Sequence, residues 1–136
     1  MSIRNLWGEI PTESEIKPPV TILREQATIL GERTGNIIQG RVLTEPHFST
    51  TMNFKGSPLQ YGLYLLAPAL DNYLYKVLEI RHDLQMYPVE VISSVAENIP
   101  PCQNEQELLV VLETILSSPK IHRVIAALIT QSRAIA

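Results

Sequence analysis

The sequence predicts an α+β domain: one helix, then about five short strands in an antiparallel meander, then two helices packed on one face of the sheet. Three observations carry this reading. Prolines at 11, 18, 19, 46, 58, 68, 88, 100, 101 and 119 divide the chain into coherent segments, because proline fixes φ, lacks an N–H and avoids element interiors. Between 36 and 94 the segments alternate apolar with polar residues or run continuously apolar, as strands do. On either side of that region the apolar residues recur at helical spacing.

Residues 1–17 read as an N-terminal arm, polar with isolated Leu6, Trp7, Ile10 and Ile16, and residues 18–136 as a single domain. Pro18-Pro19 opens a helix over 19–33, and Gly35 is placed to end it. Ile22, Leu23, Ile29 and Leu30 share one arc, with Gln26 and Arg33 inside it. Arg33 is expected to lay its stem over the core and keep its head in water.

The strands are expected over 36–44, 48–54, 61–67, 73–81 and 88–93. Phe48, Thr50, Met52 and Phe54 alternate with polar residues, Gly56-Ser57-Pro58 turns the chain, and Tyr61 to Ala67 is apolar on both faces. Short connections favour antiparallel neighbours. A second helix over 104–117 begins at Asn104 with Glu107 three residues on, an arrangement resembling a capping box. Ser118-Pro119 opens the third.

If Pro68–Asp71 is a four-residue loop, Tyr64 opposes Tyr75 and Leu66 opposes Tyr73. The face bearing Tyr64, Tyr73 and Tyr75 then continues to Glu79 and Arg81, and Leu63, Leu65, Leu74, Leu78 and Ile80 form the core side with Lys76. A one-residue slip would swap the faces of one strand relative to the other. The tyrosine face is the expected partner-binding surface, comprising Tyr64, Tyr73, Tyr75 and Arg81, since tyrosine gives large contact area at low entropy cost. Plain cross-strand pairing explains the same tyrosines without function.

Charge narrows the choice. Eleven basic against fourteen acidic side chains give a net charge of −3, and each third of the chain (1–35, 36–94, 95–136) carries −1. That balance speaks against nucleic acid, which needs a basic footprint. Tyrosines stacking single-stranded bases beside Lys55, Lys76 and Arg81 remain the weaker form of that idea. No apolar run approaches the roughly 18 residues that span a bilayer, and the first twenty residues lack a signal-peptide core. One cysteine, Cys102, permits no intrachain disulfide. The expected location is the cytoplasm, with no membrane association.

Chemistry-bearing residues are scattered. His47, His82 and His122 make no metal-ligand spacing with other ligand types. His47 and His82 flank strands and could meet in space, which makes them candidate ligand-binding residues. Cys102 lies before a helix N-terminus, which lowers a thiol's pKa, but no basic residue adjoins it, so it reads as a plain loop cysteine. Gly35 to Gly40 has phosphate-loop glycine spacing but is followed by Arg41 and Val42 instead of lysine and a hydroxyl residue. Lys120, His122 and Arg123 crowd the first turn of the third helix, where cations oppose its dipole. Glu105, Glu107 and Glu113 are their expected partners. Trp7 is expected to anchor the arm across the core, because a lone exposed indole is unfavourable; the alternative is a short recognition segment.

The expected function is therefore non-catalytic. The chain reads as a cytoplasmic interaction or assembly protein binding a protein partner, or itself as a homo-oligomer, through the tyrosine face, with no cofactor and no metal. The alternative is a small-molecule binder or enzyme with a pocket between sheet and helices, using His47, His82, Tyr64, Tyr75 and Arg81.

Overall fold

The structure is a computed structural model that describes residues 3–45 and 58–135. Its elements run α1 (Pro19–Arg33), β1 (Gln39–Thr44), β2 (Leu59–Ala67), a 3-10 turn (Pro68–Leu70), β3 (Tyr73–His82), β4 (Glu90–Ile92), α2 (Glu105–Leu116) and α3 (Pro119–Ile135). The class is α+β. Among the described residues the sheet has four strands in the order β1-β2-β3-β4, every pair antiparallel, where the sequence led us to expect about five. The strand read over 48–54, with His47 and Lys55, lies outside the described residues.

Local chemistry explains the element ends. Pro18 precedes α1 and its carbonyl accepts from Thr21 N at 3.0 Å. Gly35 and Asn36 both adopt left-handed backbone, and Asn36 N returns to Gly31 O at 2.8 Å, which closes the C-terminus. Asn104 Oδ1 accepts from Glu107 N at 2.9 Å, and Glu107 Oε1 accepts from Gln103 N at 2.8 Å. Ser118 Oγ caps α3 by accepting from Ile121 N at 3.3 Å.

The core joins Ile22 and Leu23 of α1, Leu63, Leu65 and Ala67 of β2, and Leu78 and Ile80 of β3. It also takes Val89, Val91 and Cys102, then Leu108, Leu112 and Ile115 of α2 and Ile121 and Leu128 of α3. Gly40 lets α1 sit directly on β1: a Cβ there would overlap Ala27 Cα and Cβ. No described helix is long and apolar enough to cross a membrane.

Two register shifts correct the sequence reading of the β2–β3 hairpin. The connection holds five residues, not four, because Asp71 and Asn72 both adopt left-handed backbone and pair Ala67 with Tyr73. A second shift falls between Leu63 and Tyr64, which pair with Leu78 and Lys76 and leave Val77 as the extra, bulged residue. The first shift turns Tyr73 and Tyr75 to the side of Ala67 and Leu65, the core side. The second restores the expected facing beyond it, where Gly62 pairs with Glu79 and Gln60 with Arg81. The tyrosine trio is thus divided: Tyr64 stays with Glu79 and Arg81, and Lys76 joins them.

Candidate functional site

The side of the sheet away from the helical core carries an ion-pair network. Its residues come from adjacent strands at alternating positions: Tyr64 and Gln60 on β2, Lys76, Glu79 and Arg81 on β3, Glu90 on β4, and Glu45 just beyond β1. The bulge at Val77 brings Lys76 and Glu79 to one side although they are three apart. Lys76 Nζ donates to Glu79 Oε1 at 2.7 Å and Arg81 Nε to Glu79 Oε2 at 2.5 Å. Lys76 also lies 3.7 Å from Glu45 Oε2, and Arg81 Nη1 3.7 Å from Glu90 Oε1. Tyr64 donates its hydroxyl to Glu45 Oε1. Its ring lies 5.9 Å from Lys76 Nζ, at the limit of cation–π reach.

Electrostatics follow from these contacts. Burial, then the hydrogen bond to Glu45, then the charges of Glu45 and Glu79, push the Tyr64 phenol up to about 12. Burial alone would raise Glu79, but hydrogen bonds and charge from Lys76 and Arg81 outweigh it and hold the carboxyl below its ordinary value. Tyr64 therefore keeps its proton as a donor, and Glu79 stays ionised between two cations. Among the described residues no group of three His, Cys, Asp or Glu is arranged to hold a metal ion.

The other sequence candidates do not converge on this face. Tyr73 and Tyr75 line a 310 Å³ groove with Leu70 and with Val124, Leu128 and Gln131 of α3. His82 is 3% exposed, 6.1 Å from the Tyr61 ring, with Nδ1 2.8 Å from Asp83 O. Among the described residues its Nε2 has no partner, and burial pushes its pKa down against the raising influence of Asp83. A meeting of His82 with His47 involves a residue outside the described ones. The polar set named for a sheet–helix pocket is split: Tyr64 and Arg81 face away from the core, Tyr75 and His82 toward it.

The reading of Cys102 as an unactivated cysteine stands, and two smaller expectations, for Lys120 and Trp7, change. Cys102 is buried in a bridge with Val89, and burial followed by the charge of Glu107 raises its thiol, the opposite of activation. Lys120 donates to Ser94 Oγ at 3.1 Å instead of pairing with the α2 glutamates. Trp7 does not cross the core: it is 84% exposed, beside Leu6 at 81% and Ile3 at 98%. The arm is shaped locally, with Asn5 Oδ1 accepting from Trp7 N at 2.9 Å and Asn5 Nδ2 donating to Gly8 O at 2.9 Å.

Several members of the polar face escaped sequence reasoning. Glu45 falls just outside the strand expected over 36–44, and Glu90 lies in the segment expected over 88–93, which lacks strict alternation. Gln60 is 1% exposed, and among the described residues both its amide atoms lack a hydrogen-bond partner. Its only sequence signal was parity with Tyr64, two pairs along the strand. A groove of 700 Å³ between α1 and the edge strand β1 was equally unannounced, since it needs the two elements docked. Comparison with known protein families, curated proteins and solved structures returned no match to this chain.

Proposed function

We propose that this chain is a non-catalytic interaction protein that engages a protein partner or a second copy of itself, and that its N-terminal arm is the engaging element. The observation that carries this reading is the solvent-exposed Trp7, with Leu6 and Ile3 beside it, outside a domain that closes its own core. Large apolar and aromatic side chains held in water cost free energy that a partner's surface recovers, and tryptophan is enriched where binding energy concentrates. The polar sheet face fits the same reading as a secondary surface. Its ions neutralise one another locally, and it keeps Tyr64 and Arg81 from the surface first expected. Tyr73 and Tyr75 belong instead to the rim beside α3. The even charge along the chain favours protein over nucleic acid, and a cytoplasmic setting suits an unpaired cysteine.

The test compares the tagged wild type with a Leu6→Ser, Trp7→Ser variant, both shown folded by circular dichroism. Partners are captured from the source organism's lysate, and self-association is read by light scattering. A stoichiometric partner, or a dimer, that the variant loses is the expected result. A monomeric wild type that captures nothing, with Trp7 fluorescence unshifted in lysate, would overturn the reading.

A further inference from the structure

The edge strand β1 and the helix above it border a groove. In the sheet order β1-β2-β3-β4, β1 has a strand neighbour on one side only among the described residues. Such an edge is a template for an added strand. The groove beside it is lined by Arg24, Ala27, Thr28, Gln39, Arg41 and Val42. Its floor is low because Gly40 brings Ala27 against the sheet, and Thr28 turns its hydroxyl back to Arg24 O at 3.0 Å. Arg24 stands at the helix rim and Arg41 on the strand. Both are exposed and neither has an ion-pair partner among the described residues. Glu32 is the one acidic group in the lining.

The complement of this groove is present on the same chain. Within the arm, Ile10, Thr12, Ser14 and Ile16 alternate with Pro11, Glu13 and Glu15. In an extended strand those sets point to opposite sides. Glu13 and Glu15 have no ion-pair partner among the described residues, and Ile10 and Ile16 are exposed at 60% and 52%. The proline sits where an added edge strand tolerates one, since only one row of its N–H groups faces the sheet.

Among the described residues, none of 3–17 lines the groove of its own chain. Lys17 Nζ lies 2.5 Å from Glu25 Oε1. Glu25 is about 100° around the helix from Arg24 at 3.6 residues per turn. The chain therefore leaves α1 along a different flank from the one that borders β1.

Building on the arm-mediated reading above, we propose that the chain forms a two-fold dimer by exchange of N-terminal arms, residues 10–16 of each copy adding as an edge strand to β1 of the other. Ile10 and Ile16 face Ala27 and Val42 of the receiving copy, and Glu13 and Glu15, on the opposite side of the added strand, pass beside Arg41, which shares the Tyr64 side of the sheet. Exchange satisfies both edges by one symmetric contact and closes the assembly at two copies. It also carries Leu6 and Trp7 onto the receiving copy.

The test uses the full chain and its charge reversals. Light scattering is run on the wild type, on a Glu13→Arg, Glu15→Arg variant, on an Arg41→Glu variant, and on the equimolar mixture of the two variants. All substitutions fall on exposed side chains, and folding is checked by thermal melting. The wild type is expected to be a dimer, each variant a monomer at the same concentration, and the mixture a dimer again, because each arm then meets a groove of opposite sign. A chain carrying all three substitutions should also dimerise. Dimeric single-site variants, or a mixture that stays monomeric, would overturn the exchange. A monomeric wild type that captures another protein through Trp7 would overturn the exchange and leave the interaction reading standing; a monomer that captures nothing sinks both.

Discussion

Tyr64 gives its phenolic hydrogen to Glu45, and the pair closes one end of the charged network on the sheet's polar face. The contact joins the middle of β2 to the residue just past β1. It depends on Gly62: a Cβ there would run into the Glu45 carboxylate and the Tyr64 ring.

Removing that donor should cost stability and simplify the alkaline titration. Tyr64→Phe is expected to lose roughly 1.5–3 kcal/mol, toward the lower end because Lys76 remains near Glu45. In the wild type the folded phenol titrates at about 12, above its unfolded value of about 10. A group whose pKa is raised by folding contributes stability below the unfolded value and loses it as pH rises toward the folded one. Stability should therefore fall from about pH 10 upward, and ultraviolet titration should show a tyrosine step near 12 that Tyr64→Phe lacks.

Glu79 governs the acid side of the same network. Replacement by Gln leaves Lys76 and Arg81 short of a shared acceptor, at an expected cost of about 1–3 kcal/mol at pH 7. Its carboxyl is held below the ordinary value, so its contribution is complete above the unfolded pKa of about 4.3 and disappears as pH falls through the folded one. Urea melts of wild type and Glu79→Gln should therefore differ at pH 7, and the gap should shrink as pH falls from about 4.3 through the lower folded value. A constant gap down to the lowest pH would mean that the ion pairs do not carry the difference.

His82 provides a separate pH response. Burial depresses its pKa, so its neutral form stabilises the fold above the unfolded value of about 6.5, and that contribution is lost as pH drops. Among the described residues no acceptor waits at the Nε2 atom for a second proton. Thermal melting should show the wild type losing stability as pH falls below about 6.5, and His82→Leu should flatten that limb.

Gly40 tests the docking of α1 on β1. A methyl at Gly40 has no room beside the Ala27 backbone. Gly40→Ala should cost about 1–3 kcal/mol by forcing helix and strand apart. Differential scanning calorimetry would register this as a lower melting temperature. An unchanged midpoint would show that the helix shifts freely on the strand.

Helix ends were readable because the signals are local. Pro18-Pro19, Gly35, Asn104 and Ser118 act through their own backbone or through bonds spanning three or four residues, so α1, α2 and α3 lie where they were expected. Strand positions in the middle were largely legible for the same reason. The register of one hairpin was not. The left-handed backbone of Asp71 and Asn72 adds one residue to the turn, and Val77 adds another to the strand. With a side-chain period of two, a single residue reverses every facing beyond it.

By itself, then, the sequence determined the class, the order of helices and strands, the balanced charge and the apolar stock of the core, all properties of neighbouring residues. The tertiary structure alone decided that Tyr64 stands apart from Tyr73 and Tyr75, that Lys76, Glu79, Arg81 and Glu45 share one face, and that Trp7 stays in water. Those outcomes depend on pairing between strands and on what the core has room to cover. Both are set by contacts between distant residues, to which a local pattern is blind.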